Sequence, residues 1–159
     1  MAQVVEVKLE GGAKLQRKLR EIVLRLGKGG EAQVGFLEQA TYPTEQGGLH
    51  VAQVAFWNEF GTVRSPPRPF FRNMIEDQMP TWANKLGIAL RLSNYRPRQA
   101  LEIVAADMKG HLVESINLLQ DPPLAPYTVE KKGFAKPLID KAVMVRAPAW
   151  VVRTGAPTR

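Results

Sequence analysis

The chain has 159 residues, of which 45% are hydrophobic, with no cysteine and a formal net charge of +7. This length is typical of one domain with its own core, and the lack of cysteine excludes disulfide bonds and thiolate metal sites. No apolar run approaches the roughly 20 residues that cross a bilayer, and the N-terminus lacks the pattern of a signal peptide. We therefore predict a single domain over residues 1–159 that has no contact with a membrane.

The first third of the chain alternates between strand and helix patterns. Residues 4–10 alternate apolar and polar side chains, which predicts a strand. Residues 13–27 repeat apolar side chains at helical spacing and end at a glycine, which predicts a helix. A second strand is predicted over residues 32–39. The polar stretch that follows, with its two adjacent glycines, predicts a mobile loop over residues 40–50.

Helices dominate the middle of the chain. Residues 51–61 predict a short helix that ends at a glycine. The three prolines within residues 66–69 then predict an extended path, because each ring fixes φ and disfavours helix in the preceding residue. A helix is expected from Phe70 to Leu92, with a break or kink at Pro80. The clearest helix of the sequence begins at a proline and keeps its apolar stripe over residues 97–119.

The C-terminal part combines an exposed stretch with a strand pattern. Residues 120–137 are polar, basic and rich in proline, and residues 142–153 have strand character, with Pro148 confining the strand to a sheet edge or a bulge. We predict an extended basic C-terminal segment over residues 121–159. The fold class is α+β, with a small mixed sheet packed against two or three helices, one long amphipathic helix near residues 97–119, and extended loops.

Positive charge is concentrated in two segments. From residue 131 to the C-terminus there are seven lysines and arginines and a single acid, Asp140. A second cluster lies on the first predicted helix and consists of Lys14, Arg17, Lys18, Arg20 and Arg25. Such a field favours a polyanion or an acidic protein surface as a partner. A solvated basic surface without a partner explains it equally well.

Motifs for catalysis or metal binding are absent from the sequence. The two histidines, His50 and His111, fall in different predicted elements and outside any recognisable motif. The glycine-containing residues 27–35 lack the spacing of a phosphate-binding loop. The neighbouring carboxylates Glu76 and Asp77 point in different directions on a helix. We therefore predict that the protein is not an enzyme and needs no cofactor or metal.

The most unusual stretch is NEFGTVRSPPRPFFR, residues 58–72, with three prolines, three arginines and three phenylalanines. A segment stiffened by proline loses little entropy when it docks. Phe70 and Phe71 can anchor a partner's pocket or start the protein's own core, and Arg68 and Arg72 can bind carboxylates. We interpret the segment as a rigid docking or connector element.

Two motifs carry a resemblance to a known family. VAQVAFWNEFGT followed by PPRPFFR, within residues 51–72, resembles the signature of a family of tail-component and neck proteins of tailed double-stranded DNA bacteriophages. PPLAPYTVEKKGFAKPLID, residues 122–140, is similar to the family's Pro-Leu-x-Pro turn, Lys-Gly pair and Pro-Leu-Ile-Asp strand entry. The family commonly continues with Thr-Gly, whereas Lys141 and Ala142 follow here. The turn at this point therefore departs from the family pattern, and the resemblance gives less support to the strand predicted after it.

The resemblance implies a virion structural protein at the head–tail junction, in a neck, tail-completion or tail-terminator role. Such a protein is made in the host cytoplasm and becomes part of the virion. Its first partner is itself, in a ring-shaped homo-oligomer with the sixfold symmetry of a tail. Other partners are virion proteins of the connector and tail tube, with non-specific contact to packaged DNA. It acts by assembly and docking.

Three sets of residues are the candidates for assembly and docking. The predicted interface residues are Asn58, Glu59, Phe60, Arg68, Phe70, Phe71 and Arg72. The predicted structural turn consists of Gly61, Pro66, Pro67 and Pro69. The predicted contacts with DNA or an acidic partner are Lys131, Lys132, Lys136 and Lys141. The alternative function is a non-sequence-specific DNA-binding accessory protein that uses this basic C-terminal segment.

Overall fold

A computed structural model of the chain describes residues 11–27, 29–124, 126–133 and 143–155. The described part has an α+β fold, as the sequence predicts, and is mainly helical. Its helices are α1 Gly12–Leu26, α2 Val51–Phe60, α3 Phe70–Leu92, α4 Pro97–Leu118, α5 Pro126–Lys132 and α6 Val143–Arg146. Its strands are β1 Gly30–Phe36 and β2 Pro148–Thr154, and residues Thr44–Gln46 form a short 3-10 helix.

The two strands form an antiparallel pair in which Gly30 lies opposite Thr154 and Phe36 lies opposite Pro148. The strand predicted over residues 142–153 is shorter than expected, because Val143–Arg146 form a helix and Pro148 begins β2. Proline suits the first position of a strand, where its missing N–H removes no ladder bond from the strand interior. The strand predicted over residues 4–10 lies outside the described residues.

Helix α4 is the centre of the fold and packs against α3, both strands and α6. Its predicted apolar stripe is confirmed, since Val104, Ala105, Leu112 and Ile116 are buried. The main core cluster joins four helices, and its buried members are Val51, Ala55, Phe70, Met74, Leu112, Ile116 and Met144. Periodic burial on a long helix is therefore what holds the α2, α3 and α6 segments together.

Helix α3 runs without a break from Phe70 to Leu92, although Pro80 lies inside it. The sequence predicts a break or kink at this proline, and the helix does not break there. Pro80 and Glu76, whose carbonyl loses its helical partner, are both exposed. Water can therefore bond this carbonyl, which lowers the cost of keeping proline in the helix.

The segments predicted to be loops contain more order than expected. Residues 40–50 are closed by a bridge between Thr41 and His50 and by a hydrogen bond of 2.8 Å from Tyr42 N to Leu49 O. The segment predicted to be extended over residues 121–159 contains α5, α6 and β2. The single domain over residues 1–159 and the mobility of the 40–50 loop stay predictions.

None of the described helices combines the length and apolar character that crossing a bilayer requires.

Two glycines should respond oppositely to alanine substitution. Gly110 lies within α4, where a Cβ would meet nothing within 4 Å, so Gly110→Ala should raise the unfolding free energy by about 0.5–1 kcal/mol. At Gly30 a Cβ would lie 2.7 Å from the Arg153 carbonyl oxygen and 2.9 Å from Leu101 Cδ1, so Gly30→Ala should lower it. Urea unfolding followed by circular dichroism measures both. A Gly110→Ala variant less stable than the parent chain would contradict the packing described for α4.

Candidate docking site

The turn that leaves α2 requires glycine at its first position. Gly61 has φ 78°, in the region that disfavours side chains, and a Cβ there would lie 2.9 Å from Pro67 N. The next four residues fold back, with Thr62 N donating to Ser65 O at 2.8 Å. The Thr62 hydroxyl oxygen also accepts from Ser65 N at 3.1 Å. Val63 is therefore held, fully exposed, at the tip of this turn.

The chain then returns to α2 before it enters α3. Arg68 N donates to Asn58 O at 2.6 Å, which closes the loop between the two helices. Pro69, with φ −79° and ψ 56°, is the centre of an inverse γ-turn in which Phe70 N donates to Arg68 O at 2.8 Å. The fixed φ of proline thus sets the direction in which α3 begins.

Helix α3 receives its N-terminal cap from α2. No side chain adjacent to its start caps it, and its N-cap residue is Pro69. Instead, the Glu59 carboxylate accepts from Phe71 N at 2.9 Å and from Arg72 N at 3.2 Å. These are donors that every helix leaves unpaired in its first turn, and a negative charge there also interacts favourably with the helix dipole. Glu59 is buried, at 6% exposure.

Arg72 completes the site of the buried carboxylate. Its Nε donates to Glu59 Oε1 at 2.7 Å, and a second guanidinium nitrogen donates to the Glu59 carbonyl oxygen at 2.9 Å. The guanidinium lies 5.1 Å from the centre of the Phe60 ring, in cation–π geometry. Because about half of the Arg72 side chain is exposed, the ion pair bridges the buried carboxylate and the surface.

Arg68 lies inside the protein, at 6% exposure. Its guanidinium donates to Pro122 O at 3.0 Å and to Pro123 O at 3.1 Å, in the segment that follows α4. Burial lowers the pKa of the Arg68 guanidinium from its ordinary value. The sequence interpretation paired Arg68 with a partner's carboxylate, whereas the structure shows it bound to backbone carbonyls of its own chain.

The predicted interface residues are brought together, but they divide between the interior and the surface. Phe70 is buried in the core, with its ring 6.3 Å from that of Phe36. The Asn58 side chain donates to Val54 O at 2.8 Å within α2. Phe60, in contrast, is 55% exposed, and Phe56 one turn earlier is 60% exposed.

The exposed rings border an apolar groove between α2 and the start of α3. It has a volume of about 380 Å³, and we call it the aromatic groove; it is lined chiefly by Phe36, Phe56, Phe60, Phe70, Phe71 and Ile75. The rings of Phe56 and Phe60 lie 4.7 Å apart, centre to centre. Glu59 and Arg72 lie in the same lining, so the ion pair borders the groove. The groove can accept an apolar side chain from another protein, with the Arg72 guanidinium beside it.

The basic candidates lie in the C-terminal part of the chain. Lys131 and Lys132 lie at the end of α5. Lys136 and Lys141 lie outside the described residues, as does the Pro-Leu-Ile-Asp part of the second motif. DNA contact through this segment stays a prediction.

The histidines lie in separate places. His50 Nδ1 is 2.8 Å from the Glu38 carbonyl oxygen, and His111 Nδ1 is 3.6 Å from an Asp107 carboxylate oxygen. Within the described ranges, the histidines and carboxylates form no group of three or more that could hold a metal ion.

Two features were missed by sequence reasoning. The capping role of Glu59 was not recognised, although PPRPFF places no Ser, Thr, Asp or Asn before the helix and so indicates that the cap comes from elsewhere. The exposure of the apolar stripe on α1 was also missed. Periodicity indicates that a helix has an apolar face, but it does not say whether anything covers that face.

Comparison with protein-family models, with curated protein sequences and with solved structures found no significant match to this chain. The family resemblance therefore rests on the two motifs quoted above.

Removing the Glu59 carboxylate should destabilise the fold strongly. Glu59→Ala leaves two backbone N–H groups and the Arg72 Nε without their carboxylate acceptor, so we expect a loss of about 2–3 kcal/mol in unfolding free energy. Glu76→Ala, which removes an exposed carboxylate from α3, is the matched control and should change stability by less than about 0.5 kcal/mol. Urea titration followed by tryptophan fluorescence measures both. Equal effects of the two substitutions would contradict the capping role.

Arg68 should not tolerate lysine. Arg68→Lys replaces a planar fork that reaches two carbonyls by a single ammonium, so we expect a loss of about 1–2 kcal/mol. Arg64→Lys, in the exposed part of the same turn, should be neutral within about 0.5 kcal/mol. Thermal unfolding of the two variants side by side gives the comparison, and a neutral Arg68→Lys would mean that the two carbonyl contacts contribute little.

Proposed function

We propose that this chain is a structural protein of a tailed-bacteriophage virion, placed at the head–tail junction as a neck, tail-completion or tail-terminator component. In this proposal it is made in the host cytoplasm, forms a ring-shaped homo-oligomer with sixfold symmetry, and docks onto connector and tail-tube proteins. It works by assembly, without catalysis and without a cofactor. The two sequence motifs supply the identity of the partners.

The observation that carries the proposal is the aromatic groove beside a rigid turn. Two phenylalanine rings, Phe56 and Phe60, are each more than half exposed although they lie side by side on one helix. Clustered apolar side chains on a surface mark interaction sites, and aromatic residues with a neighbouring arginine are the side chains that contribute most to binding. The groove therefore supports a function in which another protein covers it.

The rigidity of the turn favours docking without rearrangement. Glu59, the Arg68 contacts and Gly61 fix the relative positions of α2 and α3, so the groove exists before a partner arrives. Binding then costs little additional ordering of the chain, and more of the contact energy appears as affinity. A component that must fit many identical neighbours in one geometry benefits from such a preformed surface.

The exposed rings should be required for assembly. Phe56→Ser with Phe60→Ser removes both rings, and we expect the dissociation constant of the complex with a tail or connector protein to rise by about 30-fold or more. Ile103→Ser, at an aliphatic side chain on α4 with similar exposure, is the control and should leave assembly unchanged. Size-exclusion chromatography with light scattering over a concentration series measures the constant, and urea unfolding confirms that both variants fold.

The proposal fails in a recognisable way. A wild-type chain that stays monomeric at all concentrations and binds none of the connector or tail proteins encoded beside it would overturn it. So would an imaged virion that lacks the chain.

A further inference from the structure

Helix α1 presents an apolar stripe that the described residues leave largely exposed. Leu15, Leu19 and Val23 fall on one side of the helix, and their exposed fractions are 60%, 51% and 67%. No residue of α1 is buried. Its last turn approaches the rest of the fold, where Leu26 lines a cavity together with Leu86 and Leu101. Most of the stripe therefore faces away from the described core.

The charges beside this stripe are positive. At 100° per residue, Lys18 lies about 60° beyond one edge of the stripe and Arg20 about 60° beyond the other, and both are exposed. Arg17 is on the opposite side of the helix, and Lys14 lies between Arg17 and Lys18. Among the ionisable side chains of α1, Glu21 is the single acid. A surface that covers the stripe should therefore be apolar in its centre and acidic at its rim.

One surface of the same chain has this character. A cleft of about 440 Å³ lies between the first part of α3 and the end of α4, and Asp77, Glu114 and Asp121 line it. No lysine or arginine is among its lining residues, while Met74, Leu118 and Leu119 supply apolar surface. The C-terminal carbonyls of α4 add partial negative charge at the same place. We call this surface the acidic cleft.

The three carboxylates of the acidic cleft are unpaired. Asp77, Glu114 and Asp121 are exposed, and the ion pairs of the described residues involve none of them. They are therefore available to basic side chains from outside. Leu118 at the same cleft is 68% exposed, so an apolar contact is also open.

The basic helix and the acidic cleft lie near opposite ends of α4. The last turn of α1 approaches Leu101, in the first turns of α4, whereas the cleft includes Leu118, the last residue of α4. Seventeen residues of helix separate these two leucines, which corresponds to roughly 25 Å. Two different, complementary surfaces at separate places allow head-to-tail contacts, and such contacts close into rings when the rotation between copies allows it.

From this complementarity we infer that α1 of one copy docks in the acidic cleft of the next copy. Leu15, Leu19 and Val23 contact the apolar floor around Leu118, and Lys18 and Arg20 pair with the carboxylates at the rim. The inference rests on the proposed ring and specifies the contact that builds it. The aromatic groove stays free for a different virion protein.

Charge-reversal substitutions on the two surfaces test this contact. The first variant, Lys18→Glu with Arg20→Glu, reverses the charge at both edges of the α1 stripe, and the second, Asp77→Lys with Glu114→Lys, reverses the rim of the cleft. Each alone places like charges together, so we expect each to raise the dissociation constant of the homo-oligomer at least tenfold at low salt. An equimolar mixture should assemble again, because each reversed surface then finds its complement on the other variant. The chain that carries all four substitutions should assemble by itself.

The controls separate a lost contact from a lost fold. Arg17→Glu changes the charge on the opposite side of α1 and should leave assembly unchanged. Recovery of assembly in the mixture also shows that both variants are folded. Size-exclusion chromatography with light scattering, repeated at rising salt, measures the constants, and the contact should weaken as salt screens the charges.

Each outcome decides the inference. Wild-type assembly that neither reversal weakens would overturn the α1–cleft contact and leave the proposed virion function standing. If the first variant loses assembly and mixing it with the second variant does not restore assembly, α1 is covered by something other than the acidic cleft. That result would also overturn the inferred contact. A monomeric wild-type chain that still binds connector or tail proteins would refute this contact alone. A monomeric chain that binds none of them would refute both proposals.

Discussion

The structure depends on one buried carboxylate. Glu59, at the end of α2, caps α3 by accepting from the backbone of Phe71 and Arg72, and it pairs with the Arg72 side chain. A buried carboxylate is costly unless charge and hydrogen bonds compensate it, and here two N–H donors, the N-terminal dipole of α3 and a guanidinium all do so. Because the donors and the acceptor come from different helices, the cap forms only when α2, the turn and α3 are correctly arranged together.

Around that cap, the motif of residues 58–72 both holds the turn to the rest of the chain and leaves a surface open to a partner. The sequence alone does not separate these two roles. Its inner side chains, Arg68 and Phe70, hold the turn to the end of α4, where Arg68 bonds the carbonyls after the helix and the Ser115 hydroxyl donates to Phe70 O at 2.6 Å. The outer rings of α2, Phe56 before the motif and Phe60 within it, are left on the surface by the same arrangement. The stiffness indicated by the prolines is therefore achieved through contacts within the chain, and the surface available to a partner is the aromatic groove.

The sequence predicts well what depends on local periodicity and poorly what depends on distant contacts. Helices α3 and α4 begin and end close to their predicted bounds, because a long 3.6-residue repeat and a proline at the start specify them. The α6 helix before β2 was not predicted, since four residues are too few to show a period. The contact between Glu59 and Arg72 spans thirteen positions, and only the missing local cap of α3 indicates it. Nor could periodicity reveal that the stripe on α1 is uncovered, because covering is a property of the assembled fold or of the oligomer.

The placement of charge also bears on how a basic chain could associate with itself. With a net charge of +7, copies of this protein repel one another on average. The repulsion is overcome locally if opposite charges are concentrated on different surfaces, and α1 and the acidic cleft have this arrangement near the two ends of α4. Two copies of α1 facing each other would bring like charges together, so this polarity disfavours that contact and favours contact between α1 of one copy and the cleft of another. A net positive charge therefore does not exclude self-association, because the acidic cleft offers α1 of another copy a surface of opposite charge.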